Sequence, residues 1–169
     1  MTTDALGAAP PEASGRDLLR HTIATVAYRA AKAVRGAPGD FGGFKVGPTS
    51  RTPSQILSHM CDLFTWAGWL ARGEHRWTDT TPGAWEDDVA RFFANLKALD
   101  DYISSDAPLY RTAEQLFQGP IADALTHTGQ LTMLRRLAGS PVRGESYARA
   151  DIVRGRVGFE QAPARVEFD

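Results

Sequence analysis

The sequence predicts an all-α fold, a four-helix bundle, and three observations predict it. Four stretches carry apolar residues at the three-and-four spacing of one helix face. Glycine and proline punctuate the chain between them. No two stretches read as a strand pair, and there is no internal repeat. A chain of 169 residues suits one domain with a sizeable core.

The first helix is expected from Arg16, with Ser14 as its cap. Leu19, Ile23, Val26 and Ala30 form its stripe, with Leu18, Ala27 and Val34 alongside, and Gly36 and Pro38 stop it. The loop GAPGDFGGFKVGPTSR follows, too rich in glycine and proline for regular structure. Its Phe41, Phe44 and Val46 are apolar, which points to packing as a crossover. Thr52-Pro53-Ser54-Gln55 then combines a cap, a first-turn proline and a capping box. That helix runs to about Ala71 and Gly73 closes it. Its inner seam is Ile56, His59, Leu63, Trp66 and Leu70.

Thr81-Pro82 repeats the start signal. The third helix has the cleanest period, through Trp85, Val89, Phe92, Leu96, Leu99 and Ile103, with Glu86, Asp87 and Asp88 in its first turns. A short helical piece is expected around Ala113 to Phe117. Gly119-Pro120 then opens the last long helix, which runs to about Ala138. Its seam is Pro120, Asp123, Ala124, His127, Leu131, Leu134 and Ala138. Residues 1–15 read as a flexible leader and 16–140 as the bundle. Residues 141–169 read as an irregular tail packing partly on it, with Tyr147 and Ile152 as anchors and a mobile end.

Bulk properties narrow the function. A net charge of −1 gives no broad basic field for a nucleic-acid backbone. Arg135, Arg136, Arg143, Arg154 and Arg156 read as solvated charge. The single cysteine, Cys61, excludes an intrachain disulfide and a paired-cysteine zinc site, and reads as packing. The N-terminus lacks a signal-peptide pattern, and no run approaches the ~20 apolar residues of a membrane span. The expectation is a soluble cytoplasmic protein. No phosphate-binding glycine loop or nucleophile elbow is present.

What stands out is polarity in apolar slots. His59 interrupts the second helix seam, and Asp123 and His127 interrupt the last. The Asp-x-x-x-His spacing places the latter two one turn apart on one face. Both clusters are read near helix N-termini, whose positive partial charge favours anions. Two imidazoles and a carboxylate converging on one point suit zinc, iron(II), nickel or manganese with positions left open. The same residues allow a simpler reading, in which Asp123 only hydrogen-bonds His127. Trp66 and Phe44 are candidates for a water-excluding wall, and Gln130 flanks the face and can orient a ligand or substrate. His21 and His75 read as surface groups.

The stretches TPSQILSHMCDLFTWA and DALTHTGQLTMLRRLAG resemble the DinB/YfiT-like superfamily. The first resembles that family's histidine run, and His127-Thr128-Gly129-Gln130-Leu131 fits the latter half of its second motif. The resemblance covers about Leu18 to Ala138. It implies a bacterial four-helix bundle, often a homodimer, holding a nickel or zinc ion through three histidines. His59 and His127 match two of them, and Asp123 departs from the third. It also implies a metal-dependent enzyme that activates a low-molecular-weight thiol or water for transfer or hydrolysis on a small-molecule substrate. The rival expectation is a non-catalytic small-molecule-binding or dimerisation bundle without metal, which the aspartate favours.

Overall fold

A computed structural model describes residues 14–168; of the expected leader 1–15, residues 1–13 lie outside the described residues, while Ser14 caps α1 and Gly15 opens it. The chain is mostly helical. Its long helices are α1 (Gly15–Val34), α2 (Pro53–Ala71), α3 (Trp85–Ser104) and α5 (Ala122–Leu137), with a single-turn α4 (Ala113–Leu116) before the last. Helix α1 packs on α3 and α5, and α2 packs on the same two, so the four long helices close a ring of contacts. No described helix is long and apolar enough to cross a membrane.

The seams read from periodicity fill the centre of this ring. Leu19, Ile23, Val26, Ile56, Leu63, Leu70, Phe92, Leu96, Leu99 and Ile103 are all buried. Burying such side chains contributes roughly 1.5–3 kcal/mol each before entropy is counted. Trp66, Trp85 and Val89 of the expected seams are half-buried, and two further residues differ more sharply. Leu18 is 62% exposed because Leu19, one position on, takes the inward slot. His59 sits at the seam's edge, its side chain 21% exposed, rather than in the core. In the loop after α1, Phe41 is buried in a short 3-10 turn (Phe41–Gly43), but Val46 is exposed.

The helix starts follow their caps with two corrections. Ser14 accepts a hydrogen bond from Asp17 N, and Thr52 with Gln55 forms the full capping box of α2. Gly73 ends α2 at φ 87°, where a Cβ would meet the Tyr110 ring at 2.9 Å. Helix α3, however, starts at Trp85 and not at Thr81-Pro82. The Asp62 carboxylate takes Thr80 N–H and the Asp88 carboxylate takes Gly83 N–H, which holds 80–83 out of the helix.

Gly119-Pro120 does not open the last helix either. Thr112 and Gln115 form a second capping box, and the chain turns helically from Ala113. Pro120 sits inside a π-helical turn, Phe117–Ile121, which leads into α5. Its ring lacks an N–H and crowds the carbonyl four residues back, so the wider turn absorbs it without ending the helix.

The tail is more ordered than an irregular strap. Gly144–Glu145 (β1) pairs antiparallel with Glu167–Phe168 (β2), a strand pair that the sequence pattern did not show because each strand has only two residues. Lys32 of α1 clamps the pair from below, bonding Glu145 at 2.9 Å and Glu167 at 2.8 Å. Tyr28 donates to the buried Glu145 at 2.6 Å. Val157 is buried, Ile152 packs on the core, and Tyr147 meets Tyr28 edge-on.

Among the five arginines read as solvated, Arg135 departs furthest, and Arg156 is half-buried against Asp151. Arg135 is 4% exposed and donates to the carbonyls of Ala33, Arg35 and Gly36 at the end of α1. A cation there satisfies carbonyls that a helix C-terminus leaves without partners.

Candidate metal centre

Pro53 and the Thr52 capping box fix the start of α2, which places His59 in its second turn. Asp123 and His127 stand one turn apart on α5, directly after the π-helical turn. The structure brings all three together. Asp123 Oδ2 lies 3.4 Å from His59 Nε2, and its other oxygen, Oδ1, lies 3.5 Å from His127 Nε2. The two imidazole rings stand perpendicular, with centroids 4.9 Å apart. One ligand atom from each residue falls within 4.8 Å of the others, so the cluster can hold a metal ion.

The carboxylate therefore lies between two imidazole nitrogens without a short bond to either. A charge-assisted hydrogen bond would close to about 2.7–2.9 Å. By contrast, two donors sharing a tetrahedral ion at about 2.1 Å stand about 3.4 Å apart. The observed 3.4 and 3.5 Å separations, one to each carboxylate oxygen, are close to that edge, while the three ligand atoms together spread over as much as 4.8 Å.

Gln130 sharpens the contrast. Its Oε1 lies 2.8 Å from His127 Nδ1, which makes Nδ1–H the donor, and in the neutral ring Nε2 then carries the lone pair. That lone pair faces the carboxylate of Asp123. Two electron-rich atoms at 3.5 Å repel unless a cation lies between them. Fixing the tautomer through the second ring nitrogen is the arrangement metal-binding histidines use.

The setting is half-open. Asp123 has 45% of its side chain exposed, His59 21% and His127 11%. Trp77 meets His59 edge-on at 5.6 Å and Trp66 at 5.8 Å. Trp66 in turn touches His75 at 6.1 Å, so His75, though exposed, is not isolated in solvent. The indole Nε1 of Trp66 is buried with no hydrogen-bond partner among the described residues. Of the two expected wall residues, Trp66 borders this aromatic run through Trp77. Phe44 packs on the core, and Trp77, which the sequence reading passed over, is the ring against His59. An aromatic in the otherwise polar loop EHRWTDTTPG was the available signal.

One expected contribution is absent. With the helical path beginning at Ala113, Asp123 and His127 do not lie at a helix N-terminus, and no dipole end strengthens their side of the cluster. His59, in the second turn of α2, keeps its place near one. Cys61 faces away, fully buried, with its Sγ 3.4 Å from the Asp88 carbonyl. His21 is exposed on α1.

Comparison of the chain with family models, with curated proteins and with solved structures gives no match.

Proposed function

We propose that the protein is a metal-dependent enzyme of the DinB-like type, built on a four-helix bundle. Its cluster of His59, Asp123 and His127 would hold one divalent ion, zinc, nickel or iron. The observation that carries this reading is the convergence of one ligand atom each from His59, Asp123 and His127 within 4.8 Å of one another, with His127 oriented by Gln130. The closed ring of α1, α3, α2 and α5 supports the bundle. Two neutral imidazoles and one carboxylate leave coordination positions free and do not by themselves choose among these metals. A divalent ion held there supplies Lewis acidity, which makes a thiol or water easier to deprotonate.

The chain's own residues set the rest. Gln130 orients His127 and fixes its tautomer. Trp77 covers the flank of His59, and the exposed side of Asp123 leaves a route for a small substrate. The thiol class and a homodimeric state follow from the resemblance, and both, with the cytoplasmic location expected from the sequence, stay part of the proposal. A non-catalytic bundle without metal is the second reading, and the exposure of Asp123 favours it, because a solvated carboxylate needs no ion.

Elemental analysis of tag-free protein purified without added metal tests the proposal. We expect about one ion per chain, lost in His59→Ala. Zn²⁺ or Ni²⁺ should raise the melting temperature of the wild type, by linkage, and leave the variant unmoved. Substoichiometric metal unchanged by the substitution would remove the proposal.

A further inference from the structure

His59 also lines a second feature, a cleft of about 260 Å³ between the start of α2 and the segment before α3. Arg51 and Gln55 line it from the start of α2, and Asp79 and Thr80 from the segment before α3. The volume falls below the roughly 300–1,000 Å³ of drug-sized sites, so the occupant is small.

The segment before α3 is held by buried charge. Asp62, 2% exposed, takes both the N–H and the hydroxyl of Thr80 at 2.7 Å. Ser58 donates to the Thr80 carbonyl at 2.9 Å. Arg91 ties Asp62, Asp88 and Ser58 into one network. Burying carboxylates costs several kcal/mol each before pairing offsets it. A loop that only joined two helices would not need such anchoring. The network fixes the main chain beside His59.

The charges on the rim are arranged differently. Arg51 and Asp79 have no ion-pair partner among the described residues, and they are not paired with each other although they border one cleft. The Gln55 carboxamide is oriented by Thr52 N–H, which bonds its oxygen at 2.9 Å and leaves its NH₂ free to donate. The cleft thus offers a guanidinium and an amide donor from the start of α2 and a carboxylate from the segment before α3.

We propose that this cleft binds the α-amino-acid end of a small zwitterion, its carboxylate on Arg51 and Gln55 and its ammonium toward Asp79. As the substrate class of the metal centre, this rests on the reading above. As a binding site it does not, because Arg51, Gln55 and Asp79, which would hold the ligand, lie outside the cluster of His59, Asp123 and His127. A ligand seated there lies against His59, so its remaining atoms reach the cluster.

The test is an NMR titration of ¹⁵N-labelled, metal-free protein with three isosteric probes: L-alanine, ethylamine and propionate. L-alanine should give saturable shifts at the Gln55 side-chain amide and at Thr80 and Thr81. The two singly charged probes should bind at least tenfold more weakly. Arg51→Ala should reduce L-alanine to the level of ethylamine, and Asp79→Asn to that of propionate. Both positions are exposed, so both variants should keep the fold. Equal, non-saturating shifts for the three probes, or an L-alanine affinity unmoved by both variants, would overturn the inference. Zn²⁺ added afterwards should move the His59 and His127 signals. A protein that ranks the probes as expected yet ignores Zn²⁺ supports the cleft and defeats the metal reading. A protein that takes Zn²⁺ but does not rank them does the reverse.

Discussion

Gln130 and His127, three residues apart on α5, are joined by a 2.8 Å contact between the carboxamide oxygen and Nδ1. The contact fixes the orientation of a largely buried ring. Without it the imidazole is free to swap tautomers, and half of its orientations present a protonated nitrogen to the cluster. Gln130→Ala should lower metal affinity about 10–100-fold while leaving all three ligands in place. Gln130→Glu should hold affinity at or above the wild-type level, because a carboxylate accepts the same proton and raises ring basicity. Competition against a chromophoric chelator reads both. An unchanged affinity in Gln130→Ala would show that His127 is not a ligand.

The network under the Thr80 segment makes a separate prediction about stability. Asp62 and Asp88 have side chains 2% and 5% exposed, and Arg91 is the cation bonded to both. Arg91→Met would leave two carboxylates buried without a counter-charge. Breaking a buried pair in this way costs about 3–5 kcal/mol. Arg91 is itself 29% exposed, so the lower end is expected, near 3 kcal/mol. Urea denaturation measures it, and a loss below 1 kcal/mol would contradict the role given to this network.

Arg135 and Arg136 are neighbours in sequence with opposite roles. Arg135 donates to three carbonyls around the end of α1 and to Ser140. Arg136 is exposed on the far side of the helix. Arg135→Met should cost about 3 kcal/mol, because several buried acceptors lose a charged donor together. Arg136→Ala should change stability by no more than about 0.5 kcal/mol. Thermal or urea melts of the pair decide it, and equal effects would refute the distinction.

These arginines also show where sequence reading stops. The pattern that built the seams of α2 and α3 is local, so Phe92, Leu96 and Leu99 could be placed inside from spacing alone. The Asp123–His127 pairing was local too, and its convergence with His59 followed from both lying on inward faces. Partners far apart in the chain leave no such trace. Arg91 lies 29 residues from Asp62, and Arg135 lies 102 residues from Ala33. Ser58 and Asp62 sit off the apolar seam of α2, and nothing in the local pattern shows that α3 and the Thr80 segment bury them. Pro120 misled for another reason. A Gly-Pro pair looks alike whether it opens a helix or sits in a widened turn, and only the capping box at Thr112 separates the cases.

Cys61 gives a prediction in pH. Burial is the chief cause that pushes its thiol up to about 12 from 9.0. Arg91 works against that shift, and the nearby Asp88 and Asp62 add to it. The thiolate is the reactive form, so the native protein should resist a disulfide reagent at pH 8 and react fully only in denaturant. The same shift links to stability. In the unfolded chain the thiol ionises near pH 9, whereas in the fold it keeps its proton to about 12. The native state therefore holds more protons across that window, and stability must fall as pH rises through it. Below pH 9 the contribution is whole. Cys61→Ala removes the group, so the stability difference between wild type and variant should be flat up to about pH 9 and should shift steadily in the variant's favour above it. Urea melts of both proteins from pH 7 to 11 measure that difference, and a difference that stays constant across the range would mean that the thiol titrates alike in both states.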